Sequence, residues 1–168
     1  RPFALPNYQA RLVRFEFDTT SKAITITQQL PLFRPDGTTP ISGRPNLQAQ
    51  AQGLAYTDEF GIDLYGNPIA NDELGGDLEG VVVAPDGSFY LVDEYRPAIY
   101  NFDANGVLID RYIPMGTAAA AGRSAGTFGT EVLPAVYGAR RNNRGFEAVA
   151  LEGNKLYAFI QSGIDSPD

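Results

Sequence analysis

A pattern that occurs twice limits the folds open to this chain more than any other feature of its sequence. The first copy, at 77–94, reads DLEGVVVAPDGSFYLVDE, and the second, at 146–161, reads FEAVALEGNKLYAFIQ. In each copy an acidic residue, Glu79 or Glu147, precedes an apolar run, a polar turn, an aromatic strand and a polar end. The two glutamates lie roughly 70 positions apart, which is too far for a helical repeat and suits a four-stranded sheet module with its loops.

Short apolar or alternating runs separated by turn residues predict an all-β chain. Two hairpins, over 11–30 and 146–160, flank a middle region that contains the strongest turn signal, Asn105-Gly106. Four consecutive strands are predicted in that middle region, at about 80–84, 88–93, 98–103 and 107–113. Long loops, 31–76 and 115–143, interrupt the strands. We predict a β-propeller fragment of one full four-stranded blade and two half blades, and an ordinary antiparallel meander is the alternative.

A propeller needs about four to eight blades to close. We therefore expect residues 1–168 to form a single partial domain of a longer protein. An unclosed piece exposes strand edges, so self-association or pairing with a completing chain is expected.

The residue types that the chain lacks restrict its chemistry. It has no Cys and no His, which excludes thiolate nucleophiles, cysteine–zinc sites and the commonest general base. Its formal net charge of −7 argues against nucleic acid or an anionic membrane as a partner. No apolar run approaches the roughly 18 residues of a membrane span. An acidic chain of this kind suits a hard cation such as Ca²⁺.

Hairpin geometry predicts that several polar residues share one rim of the sheets. Glu79 and Glu147 stand at equivalent strand starts, and Asp93, Glu94 and Gln161 stand where second strands end. In an antiparallel hairpin these positions lie on the same rim. Carboxylates gathered there repel one another unless a cation or an arginine neutralises them.

Two interpretations of this rim remain open. In the first, calcium bound by carboxylate oxygens makes a nearby water more acidic, Glu79 or Glu147 acts as general base, and Arg144 pairs with the carboxylates or holds an anionic substrate. In the second, the same groups form salt bridges and backbone hydrogen bonds that join the sheet modules.

Six short motifs carry a resemblance to a known family. They are Asp-Leu-Glu-Gly at 77–80, Pro-Asp-Gly at 85–87, Val-Asp-Glu at 92–94, Arg-Pro at 96–97, Asn-Arg-Gly-Phe-Glu at 143–147 and Phe-Ile-Gln-Ser at 159–162. In this order they resemble the phytase-like family, which is described as having the esterase-like activity of phytase. The resembling segment is 77–162. Gluconolactonase-type propellers, whose Glu-Gly strand starts carry metal ligands, are a more distant likeness.

The resemblance implies a propeller-like fold, a secreted or periplasmic location, and a set of site residues. The metal ligands it implies are Asp77, Glu79, Asp93, Glu94 and Glu147. The catalytic residues it implies are Glu79, Glu147 and Arg144, and the substrate-binding residues are Arg96, Arg144 and Gln161. The predicted function is calcium-assisted hydrolysis of small ester or phosphate-ester molecules. A non-catalytic propeller binding module and a gluconolactonase-like lactone hydrolase are the alternatives.

Overall fold

The chain folds mainly into β-strands in the computed structural model, which describes residues 2–46, 60–141 and 143–164. The strands are β1 (Pro2–Phe3), β2 (Arg11–Phe17), β3 (Ile24–Pro31), β4 (Ile62–Asp63), β5 (Leu78–Val83), β6 (Phe89–Asp93), β7 (Ala98–Phe102), β8 (Leu108–Pro114), β9 (Thr130–Leu133), β10 (Phe146–Glu152) and β11 (Lys155–Ile160). A one-turn helix, α1 (Thr117–Ala120), and a 3-10 helix (Ala135–Ala139) lie near β9. The all-β class predicted from the sequence is confirmed. No described helix has the length and apolar character needed to cross a membrane.

The central sheet has five strands in the order β5-β6-β7-β8-β9. Its first four strands form an antiparallel meander, as the sequence predicts. The turn between β7 and β8 depends on Gly106, which has a φ of 84°. A Cβ atom at this glycine would lie 2.3 Å from the carbonyl oxygen of Pro31, so a side chain there would push the end of β3 away.

The fifth strand was missed by sequence reasoning. β9 pairs in parallel with β8, with Tyr112 opposite Thr130, inside a segment predicted to be a long connection. The Glu131 carboxylate of β9 accepts backbone hydrogen bonds from Gly116 (2.8 Å) and Ala118 (2.7 Å). These bonds attach the start of α1 to β9, and a pairing between distant segments of this kind leaves little local signal in the sequence.

Hairpins cover both faces of the central sheet. β2 pairs with β3 and β10 pairs with β11, both antiparallel and both as predicted. β10 lies so close to β5 that a Cβ atom on Gly80 would come within 2.8 Å of the Ala148 Cα atom. Among the described residues the strands form open sheets. The β-propeller therefore stays a prediction.

Strand β6 is buried on both faces, which explains why its sequence does not alternate. Leu91 belongs to the core that includes Leu12 and Leu30 of the β2–β3 hairpin. The next residue, Val92, belongs to a second core that includes Val149 of β10 and other residues of the β10–β11 hairpin. Successive side chains of a strand point to opposite faces, so β6 requires apolar residues at both.

A buried ion pair lies at the end of this strand. Asp93 Oδ2 is 3.1 Å from an Nη atom of Arg111, and both side chains are at most 1% exposed. The same oxygen accepts a hydrogen bond from the Asn46 side chain at 2.8 Å. The other oxygen of Asp93 accepts from the backbone N–H groups of Asp77 (3.0 Å) and Tyr95 (3.1 Å). Asp93 thus holds together β6, β8 and the segment that leads into β5.

Removing one member of this pair should be far more costly than removing a surface pair. We expect Arg111→Met to lower the free energy of unfolding by about 3–5 kcal/mol, because it leaves the Asp93 carboxylate buried without its cation. Arg123 and Glu73 form an ion pair in which both side chains are about half exposed. Arg123→Met should therefore cost at most about 1 kcal/mol. Urea unfolding at pH 7 measures both, and equal losses would contradict the importance of burial.

Candidate metal centre

A run of backbone hydrogen bonds brings four chain segments side by side at one edge of the molecule. The N–H of Glu94 donates to the carbonyl of Asp77 at 2.9 Å, and the N–H of Gly145 donates to the carbonyl of Glu94 at 2.7 Å. The N–H of Gln161 then donates to the carbonyl of Gly145 at 2.9 Å. The start of β5, the end of β6, the start of β10 and the end of β11 therefore meet, as hairpin geometry predicts.

Gly145 lets these segments approach so closely. A Cβ atom at this position would lie 2.3 Å from the carbonyl oxygen of Asp93, 2.6 Å from the carbonyl carbon of Arg96 and 2.7 Å from the carbonyl oxygen of Glu94. All three contacts are with backbone, which cannot rotate away as a side chain can. Only glycine fits here without displacing β10 from the end of β6.

Three carboxylates converge at this edge. Asp77, Glu79 and Glu94 each offer an oxygen, and these oxygens all lie within 4.8 Å of one another. Asp77 and Glu94 are half-buried, and Glu79 is exposed. Oxygen ligands of one calcium ion lie about 2.3–2.6 Å from it and so roughly 5 Å or less from one another. The three side chains fit a shared hard cation. We call them, together with Glu147 and Gln161, the acidic rim.

The electrostatics of the acidic rim are visible at Glu94. Its pKa is raised to about 6, first because the carboxyl is partly removed from water, and then because the charges of Asp77 and Glu147 oppose its ionisation. A hydrogen bond with the Asp77 side chain acts in the same direction. The side chain of Gln161 forms a hydrogen bond that lowers the pKa of Glu94 and so opposes these effects. Glu147 and Gln161 are therefore close enough to act on Glu94.

The remaining residues predicted for the site are not among the three converging carboxylates. Asp93 is fully buried, and its oxygens are occupied by the ion pair with Arg111 and by the three hydrogen bonds described above. It lies outside the group of three carboxylates. Arg96 is 2% exposed, and its Nε donates to Asn46 Oδ1 at 3.0 Å. Arg144 is exposed and directly precedes Gly145. A metal-ligand role for Asp93 and substrate-binding roles for Arg96 and Arg144 stay predictions.

Sequence reasoning missed Asn46, which supports the acidic rim from the long loop before β4. Its side-chain amide donates to Asp93 and to the carbonyl of Gly75 at 3.0 Å, while its oxygen accepts from Arg96. Asn46 is 2% exposed. A single asparagine in a polar loop carries no sequence signal that separates such a buried bridge from a solvated turn.

Comparisons with known proteins bear on this arrangement. A family model described as "Phytase-like: Esterase-like activity of phytase" matches residues 4–168, which extends well beyond the segment with resembling motifs. An "Uncharacterized secreted protein" of Arthroderma benhamiae is 29% identical over 174 residues, covering 85% of this chain. The chain spans 31% of that relative's length. No solved structure matches the chain.

The raised pKa of Glu94 predicts how stability changes with pH. The folded protein holds a proton on this carboxyl up to about pH 6, above the ordinary value of 4.5. The protonated Glu94 carboxyl therefore makes its full contribution to the free energy of unfolding below about pH 4.5, and this contribution is lost as pH rises through 6. With chelator present, Glu94→Gln should be more stable than the parent chain at pH 7–8 and equal to it near pH 4.

Asp36 provides a control, because its pKa is shifted in the direction opposite to that of Glu94. The side-chain hydrogen bond from Thr39, and then the backbone hydrogen bonds from Thr39 and Thr38, hold the pKa of Asp36 at about 2. Its contribution is present above the ordinary value of 3.8 and is lost as pH falls through 2, so Asp36→Asn should destabilise at pH 7. Urea unfolding between pH 4 and 8 separates the two cases. A Glu94→Gln variant that is less stable than the parent at pH 8 would contradict the raised pKa of Glu94.

Proposed function

The chain belongs to the phytase-like family, and from this premise we propose that it hydrolyses ester or phosphate-ester bonds of small molecules with a calcium ion held at the acidic rim. The observation that carries the proposal is the convergence of Asp77, Glu79 and Glu94 within 4.8 Å. These are oxygen ligands of the kind that calcium prefers, and their number and spacing suit it. The family description names esterase-like activity, which agrees with a hydrolytic site.

In the acidic rim we assign some residues as calcium ligands and one residue as the general base. A bound calcium ion would supply positive charge that polarises the ester group and makes a nearby water more acidic. Glu147 lies outside the group of three carboxylates but acts on Glu94 through its charge. In this proposal Glu147 accepts the proton of the attacking water as general base. Gln161 orients Glu94 through the hydrogen bond that favours the ionised carboxylate.

Arg144 is the cation proposed to meet an anionic substrate. It is exposed, and it lies three positions before Glu147 on the segment that leads into β10. A guanidinium can bind a phosphate or carboxylate through two parallel hydrogen bonds. Arg96 is less suited to this role, because it is buried and donates to Asn46.

We also propose where the protein acts and how it is built. The relative from Arthroderma benhamiae is named as a secreted protein, which supports a location outside the cytoplasm for this chain. The share of that relative that the chain spans, 31%, supports the proposal that residues 1–168 are one part of a longer β-sheet assembly. Within the part of the chain that the structure describes, β5 is an edge strand and each flanking hairpin has two strands, so further strands would pair at these edges.

Matched variants can separate the proposed ligand from the proposed base. Hydrolysis of 4-nitrophenyl phosphate and 4-nitrophenyl acetate is measured with calcium and with chelator. We expect Glu147→Gln to lower kcat by at least about 100-fold while leaving calcium affinity within a few-fold, because it removes the base and no ligand. Glu79→Gln should weaken calcium binding in titration calorimetry and lower turnover with it. Turnover unchanged in both variants would refute the proposal.

Glu16 supplies the control for these substitutions. It is an exposed glutamate on β2, paired in register with Thr25 of β3. Glu16→Gln makes the same change in charge and should alter neither calcium affinity nor turnover. A loss of activity in this variant equal to that of Glu79→Gln would assign the effect to the overall charge of the protein.

A further inference from the structure

A groove of about 300 Å³ opens beside the acidic rim, between the β2–β3 hairpin and β5. Asp77 and Glu79 line one part of it, and Tyr8 and Arg11 line another. The same groove is lined by the apolar side chains of Leu12, Leu32, Leu78, Val81 and Leu91. The groove is therefore lined by two of the three proposed calcium ligands, by one cationic residue and by this group of apolar side chains, which we call the leucine floor.

Contacts on both sides hold Arg11 in place. Its guanidinium carbon lies 5.0 Å from the centroid of the Tyr8 ring, within the range of a cation–π contact. One of its Nη atoms donates to Gln29 Oε1 at 3.0 Å. Within residues 2–46, 60–141 and 143–164, Arg11 has no carboxylate within ion-pair distance. The guanidinium carries five N–H donors, so donors and charge remain beyond the bond to Gln29.

Backbone hydrogen bonds fix the chain on which Tyr8 and Arg11 lie. The N–H of Ala10 donates to the carbonyl of Ile41 at 3.0 Å, and the N–H of Leu32 donates to the carbonyl of Ala10 at 2.9 Å. The floor is equally fixed, because Leu32 and Leu91 are buried in the main core. A ligand entering the groove would meet a wall that is already ordered, which reduces the entropy cost of binding.

We propose that this groove is the substrate subsite of the acidic rim, and that Arg11 selects esters that combine one anionic group with an alkyl or aryl part. The inference rests on the proposed function, since it places the scissile ester next to Asp77 and Glu79. The apolar part lies on the leucine floor, where its removal from water is favourable. The anionic group accepts charge-assisted hydrogen bonds from Arg11.

The charges of the groove also limit the size of the anionic part. One guanidinium there accompanies two carboxylates, Asp77 and Glu79. Within the groove itself, a molecule that carries many phosphates would find one cationic side chain among the described lining residues. Monoesters with a single phosphate or carboxylate fit this balance of charge.

Binding of phenylphosphonate, which has no ester bond to hydrolyse, tests the subsite without requiring turnover. Titration calorimetry with the complete chain in calcium compares the parent, Arg11→Met and Arg14→Met. Arg14 is the matched control, because it is an exposed arginine on the same strand that lines a different groove. We expect Arg11→Met to weaken binding about tenfold, Arg14→Met to leave it unchanged, and methylphosphonate to bind the parent more weakly than phenylphosphonate.

Each outcome decides one question. The inference would be overturned if the parent and Arg11→Met bound phenylphosphonate with equal affinity, or if Arg14→Met weakened binding as much as Arg11→Met. It would also be overturned if the parent did not bind phenylphosphonate. Turnover of 4-nitrophenyl phosphate by the parent chain, with calcium and with chelator, tests the proposed function separately. Arg11-dependent binding without turnover would keep the subsite and refute the hydrolase. If turnover depends on calcium but Arg11→Met leaves the KM for 4-nitrophenyl phosphate unchanged, the proposed hydrolase is supported and the subsite is refuted.

Discussion

The buried pair of Asp93 and Arg111 is the interaction on which the rest of the structure depends. Arg111 lies 4.8 Å above the ring of Tyr100 and donates to the carbonyl of Phe128 at 3.2 Å, so it connects β7, β8 and the chain before β9. Asp93 extends the same network to the backbone of Asp77. An ion pair removed from water is tolerated where further hydrogen bonds compensate for the lost hydration. Asp93 accepts three such bonds, and Arg111 donates to two backbone carbonyls, although its buried Nε atom has no partner among the described residues. The core thereby fixes the chain from which the acidic rim projects.

Placing carboxylates together opposes the stability of the fold. The pKa of Glu94 is raised first by partial burial, and the charges of Asp77 and Glu147 add to the shift, so the neighbouring carboxylates contribute to this cost. Such a cluster persists because backbone hydrogen bonds and the contact at Gly145, independent of the charges, hold its segments together. Sites that bind a ligand or carry out chemistry typically cluster charges in a way that lowers the stability of the fold.

Sequence reasoning found the elements whose signals are local. The β2–β3 and β10–β11 hairpins and the β5–β8 meander follow from alternation and turn residues, and the shared rim follows from how hairpins return the chain. The adjacent acids Asp93 and Glu94 could not be told apart, yet one points into the core and the other reaches the rim, as strand geometry requires. Arg111 in β8 has the sequence setting of an exposed strand arginine, and only its distant partners reveal its burial. The parallel pairing of β9 is equally non-local.

The backbone ladder from Asp77 through Gly145 to Gln161 also has a kinetic consequence. It joins segments that are far apart along the chain, so the rim forms only once the β10–β11 hairpin has docked on the central sheet. A cation that binds there has no comparable site in the unfolded chain and acts on the native state alone. Because these contacts form late, such an ion would slow unfolding and leave the rate of folding nearly unchanged. The lifetime of the folded protein, rather than the speed of its formation, would then follow the calcium concentration around it.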